Sequence, residues 1–100
     1  MKRNKLRIHL DAQLEIEEAF ERYRQEGIRI AAPFLDQIAR SFDRILANPK
    51  LYPPYTRNTR RRILGSFPYS VIYQERDETI LIVAVAHAKR REGNWRKRTR

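Results

Sequence analysis

Residues 79–87 read Thr79-Ile80-Leu81-Ile82-Val83-Ala84-Val85-Ala86-His87, and the fold turns on this run. Ile80, Ile82, Ala84 and Ala86 alternate with Leu81, Val83 and Val85, so a strand built from it is apolar on both faces. That pattern predicts a central strand covered on both sides. Working outward, Arg76-Asp77-Glu78 reads as the turn before it, and residues 69–74 carry the aromatic and β-branched content of a partner strand. The turn Gly65-Ser66-Phe67-Pro68 joins that partner to another strand at residues 60–64, giving a meander. Residues 47–59 hold three of the five prolines and read as a loop.

The first half has a different period. Leu6, Ile8 and Leu10 alternate with Lys5, Arg7 and His9, a half-buried strand in which His9 is expected to be exposed and inert. Asp11 stands at the expected N-cap of a first helix. Ile16, Ala19, Phe20 and Tyr23 form its apolar stripe, and its acids read as a solvated, dipole-compatible face. Gly27 suits the helix end. A second helix is expected from about Ala31, with Pro33 in its first turn, and Asn48-Pro49 stops it. Its stripe is Phe34, Leu35, Ile38, Phe42, Ile45 and Leu46. So short a joint predicts an antiparallel hairpin. The expected architecture is α+β in the order β-α-α-β-β-β, a helix hairpin on one face of a small, mainly antiparallel sheet. One domain spans residues 1–100, with residues 89–100 a basic tail.

Composition narrows the function. The chain has 100 residues, 22 Lys and Arg against 12 Asp and Glu, and a net charge of +10. It has no cysteine and two histidines, which disfavours a disulfide scaffold, thiol catalysis and a zinc centre. No metal or cofactor is expected. No apolar run approaches the length of a membrane span or a secretory signal, so the expectation is a cytoplasmic protein without membrane contact. The charge is uneven: residues 11–43 hold eight acids against four arginines, whereas residues 44–100 hold fourteen bases against four acids. A cationic C-terminal half attracts phosphates or an acidic protein segment, or serves only as a solvated face.

Ile45-Leu46-Ala47-Asn48-Pro49, Tyr52-Pro53, Arg61, Phe67-Pro68-Tyr69-Ser70-Val71-Ile72-Tyr73, Ala84-Val85-Ala86-His87, Arg90, Gly93-Asn94-Trp95 and Arg98 occur in that order. This series resembles the RelE/ParE superfamily of bacterial toxins, to which plasmid stabilisation proteins belong. The resemblance runs from about Asp11 to Arg98. It implies the toxin of a type II toxin–antitoxin module, wrapped and neutralised by a cognate antitoxin in a hetero-oligomer. Two activities divide the superfamily: RelE-like members cut mRNA in the ribosome, and ParE-like members poison DNA gyrase.

Metal-free RNA cleavage needs a proton acceptor, cations around the phosphate and a proton donor. The candidates for that chemistry are His87, Arg60, Arg62 and Arg90. Arg60 and Arg62 are expected on one strand face with Arg61 on the other, and His87 on the parity of Leu81, Val83 and Val85. His87 equally reads as a residue closing the sheet or holding the tail. Arg61, Arg91, Trp95, Arg96 and Arg98 are candidate target or antitoxin contacts, and Trp95 has the alternative of folding back over the sheet. RelE-like nucleases place a tyrosine in the tail, and no tyrosine follows Tyr73 here. The preferred reading is therefore ParE-like inhibition of gyrase, with the ribosome-dependent nuclease second and a non-toxic nucleic-acid-binding module third.

Overall fold

The computed structural model describes residues 5–89 and 92–99. Strand β1 (Lys5–Ile8) leads into helices α1 (Leu10–Glu26) and α2 (Ile28–Ala47). Strands β2 (Pro54–Tyr55), β3 (Thr59–Ile63), β4 (Tyr69–Arg76) and β5 (Thr79–His87) follow, and a 3-10 segment, Glu92–Arg98, closes the chain. They form one mixed sheet in the order β1-β5-β4-β3-β2, with β1 parallel to β5 and the other pairs antiparallel. The run that is apolar on both faces is thus an interior strand.

Each face of β5 has its own cover. On one side Ala12, Ile16 and Ala19 of α1 and Phe34, Ile38 and Ile45 of α2 pack on the sheet. On the other, Trp95 from the terminal segment packs on Ile72, Val83 and Ala84, with Tyr55 and Leu81 beside it. The loop expected at residues 47–59 contains β2 and a 3-10 turn, Thr56–Asn58. Arg57 and Asn58 both have left-handed backbones, with φ of 60° and 57°. The buried Gln74 side chain donates through Nε2 to both of their carbonyls, at 3.1 and 3.4 Å, and so holds this turn.

The helix ends differ from expectation. His9, not Asp11, caps α1: its Nδ1 accepts from the Asp11 N–H at 3.1 Å. The residue expected to be inert therefore satisfies one of the free donors of the first turn. Gly27 alone separates the helices, at φ 140°, ψ 145°, a backbone region in which a side chain is strained. Because α2 starts at Ile28, Pro33 lies in its second turn rather than its first. Pro33 cannot donate to the Arg29 carbonyl, and the fold tolerates this where Arg29 is exposed and water can take its place.

A β-bulge in β5 corrects the strand parity. Ile72 pairs with Ala84 but Tyr73 with Ile82, so Val83 is the extra residue. Ile80 and Ile82 face the helices before the bulge and Val85 faces them after it, while Val83 and Ala84 both point to the Trp95 side. Strict alternation put His87 with Leu81, Val83 and Val85, of which only Val85 shares its face. The bulge instead leaves it on the helix side, where its ring meets Tyr69 edge-on at 5.0 Å.

Tyr73 is fully enclosed, and its hydroxyl donates to the Pro49 carbonyl. Burial pushes its pKa up to about 12. The unfolded chain ionises this phenol near pH 10, so native Tyr73 binds a proton that the unfolded state has lost. Its contribution is complete below pH 10 and is lost as pH rises from there through about 12. Urea titrations across that range are expected to show a steeper fall in stability for the native chain than for Tyr73→Phe.

Candidate functional site

Arg60 and Arg62 share the helix side of β3, as alternation requires, and both are held by the protein itself. Arg60 Nη1 donates to the Tyr52 carbonyl at 2.6 Å and to that of Lys50 at 3.3 Å, with Glu75 3.7 Å from its Nε. Arg62 Nε donates to Ser41 Oγ and its Nη1 to the Tyr52 hydroxyl, both at 2.9 Å. Its guanidinium also lies 5.1 Å from the Tyr52 ring centre. These arginines tie the loop after α2 to β3. Ser41, fully buried in α2, is a site residue that no motif in the sequence marked, and Tyr52 entered only through the Tyr52-Pro53 motif, without a role at this site.

Arg61 lies on the other face, its guanidinium 4.4 Å from the centre of the Tyr55 ring. Tyr55 in turn lies 6.0 Å from Trp95, so cation, phenol and indole form a layer over the second sheet face. Trp95 is 3% exposed: it folds back over the sheet. Arg96 and Lys97 beside it are exposed. Arg90 and Arg91 lie outside the described residues.

Arg98 is a clamp. Its guanidinium makes a two-pronged pair with Glu15 of α1, at 3.0 and 3.1 Å, and Nη1 also donates to the Val83 carbonyl at 3.1 Å. Glu15 Oε1 meanwhile accepts from the Val85 N–H at 3.0 Å. The geometry has a simple cause. β1 stops pairing at Ile8 opposite Ile82, which uncovers the edge of β5 beyond it. Glu15 and Arg98 satisfy that edge with side chains, which explains why an acid expected on a solvated face is mostly buried.

His87 ends β5. Its Nδ1 accepts from the Lys89 N–H at 3.1 Å, and Tyr69 sits against its ring. The Tyr69 hydroxyl accepts from Arg22 Nη2. This corner thus holds one imidazole, one phenol and one guanidinium in a short chain of contacts. Among the described residues no group of three or more His, Asp or Glu could hold a metal ion. Between α2 and β3 a cleft of about 220 Å3 is lined by Gln37, Arg40, Ser41, Arg44, Arg62 and Leu64, another cationic feature the sequence did not mark.

A family model described as the ParE toxin of type II toxin–antitoxin systems matches residues 6–92. The chain belongs to the ParE toxin family. It is thereby the toxin component of a type II system, and its partner is a cognate antitoxin. A solved structure of the chromosomal ParDE system from P. aeruginosa superposes with a TM-score of 0.76 at 16% identity, covering 87% of this chain and 98% of that one. At that identity the likeness speaks for the fold. No curated protein is similar enough to count as a match. No helix among the described residues of this ParE-family toxin is long and apolar enough to cross a membrane.

Proposed function

We propose that this ParE-family toxin arrests growth in the cytoplasm by direct contact with DNA gyrase. Toxins of the family inhibit gyrase. The observation that carries the reading is the engagement of the three candidate catalytic groups that fall among the described residues. Arg60 and Arg62 are fastened to carbonyl, serine and tyrosine oxygens, and the His87 Nδ1 is occupied by a backbone N–H. A nuclease needs a proton acceptor facing an open phosphate site with uncommitted cations. Inhibition by surface contact needs neither, and the exposed Arg96 and Lys97 with the half-exposed Arg61 supply a cationic surface for it.

The test is primer extension on mRNA in a purified translation system, alongside growth of cells expressing the chain. Intact mRNA together with arrested growth is expected. Ribosome-dependent cuts that vanish in His87→Ala would establish the nuclease reading instead.

The antitoxin segment that neutralises the toxin is proposed to be acidic and amphipathic, since a surface of this charge steers such a partner. Its association rate is expected to fall several-fold as ionic strength rises from about 0.05 to 0.5 M. Stopped-flow measurement checks this, and a salt-independent rate would contradict it.

A further inference from the structure

Helix α2 carries two apolar rows, one fully buried and one that the core takes up only in part. Ala31, Phe34, Ile38, Ser41 and Ile45 are the buried row. The second row is Ile28, Ala32, Leu35, Ala39, Phe42 and Leu46, spaced four, three, four, three and four residues apart. That is an unbroken heptad seam about 27 Å long. The fold takes up only its C-terminal end, where the half-buried Phe42 and Leu46 pack against the core; Ile28 is 60% and Leu35 39% exposed, and Ala32 and Ala39 are exposed.

We infer that this seam is a self-association surface, on which α2 of a second copy packs antiparallel about a two-fold axis near residue 37. The order of side chains argues for a second copy over any other occupant. Pairing about residue 37 sets Leu35 opposite the second copy's Ala39, Phe42 opposite its Ala32, and Ile28 opposite its Leu46. Both alanines thus meet a large residue and no two large residues collide at the centre, the interdigitation that knobs-into-holes packing requires. Symmetry repeats every contact, as an isologous interface demands.

Charge agrees with the same register. Arg29 and Asp43 flank the seam on one side, and the antiparallel pairing brings Arg29 alongside the second copy's Asp43. Asp36, which falls near the axis, is already paired with Arg40 at 2.9 Å. Two chains of +10 repel, but α2 has three arginines against two aspartates, so this face lets them approach with little repulsion. One helix pair is small for a permanent dimer, and the association is concentration-dependent.

Sedimentation velocity of the free chain up to about 200 µM tests this. The mass is expected to rise from 12.1 kDa towards twice that value, and Leu35→Glu to stay at 12.1 kDa throughout with an unchanged helical spectrum. Arg29→Asp is expected to weaken the dimer at least about threefold, and Arg29→Asp with Asp43→Arg to restore it. If Leu35→Glu does not fold, the exposed charge pair decides alone. A chain that stays monomeric, a dimer indifferent to Leu35→Glu, or a charge swap without rescue would each overturn the inference.

Discussion

Trp95→Ala is expected to destabilise the toxin by about 3–5 kcal/mol, the usual cost of emptying a buried tryptophan site. For a domain of this size that is a large share of a total of about 5–15 kcal/mol. The reason lies in the sheet, on whose second face this indole packs over Ile72, Val83 and Ala84, with Tyr55 and Leu81 beside it. Trp95 is the only large apolar residue of the terminal segment, so without it that segment has no apolar hold on the sheet. Urea unfolding measures the loss, and trypsin should cut the basic tail of the variant faster. A loss below about 1 kcal/mol, with toxicity abolished, would mean that Trp95 meets the target instead.

Arg98→Ala should cost about 2–4 kcal/mol, somewhat below the range for breaking a fully buried pair because both side chains keep some solvent contact. Arg98 and Glu15 are 13% and 12% exposed, and removing the guanidinium takes its two-pronged partner from a mostly buried carboxylate at the β5 edge. The partner variant distinguishes this from simple loss of packing. Glu15→Gln keeps an oxygen for the Val85 N–H and removes the mostly buried charge, so Glu15→Gln with Arg98→Ala should be more stable than Arg98→Ala alone. Denaturant midpoints of the four proteins give the coupling. Additive effects of the two substitutions would remove the clamp from this account.

These two contacts also mark where the sequence was legible. The apolar alternation of Thr79–His87 was enough to place a central strand, because only burial on both faces explains it. The helices were readable from their stripes, and the β-α-α-β-β-β order stands, with β2 added. What escaped was whatever depends on an interruption of periodicity. The bulge at Val83 adds one residue to β5, so alternation groups His87 with Leu81 and Val83 as well as with Val85, although only Val85 shares its face. Pro33 suggested a helix start because proline is easiest there, yet Gly27 can both end α1 and begin α2, which moves the start upstream. His9 was read from strand parity alone, although a side chain just before a helix can also cap it.

The candidate site was legible as a set of cations and not as a set of roles. Clustering of arginines in sequence shows where charge lies, but not which guanidinium a neighbouring carbonyl captures. Arg60 and Arg62 are held by Tyr52 and Ser41 through the return of the chain after α2, a long-range contact without a local signature. Arg98 likewise depends on where β1 stops. Its partner Glu15 sits among acids of the same helix that do face water, and nothing in their spacing singles it out.

The most direct test of the gyrase reading is a supercoiling assay with purified gyrase, relaxed plasmid and this toxin. Loss of supercoiling in proportion to toxin, retained by His87→Ala and reversed by the cognate antitoxin, is the expected result. Full supercoiling at a large molar excess of a toxin that still arrests growth would contradict it.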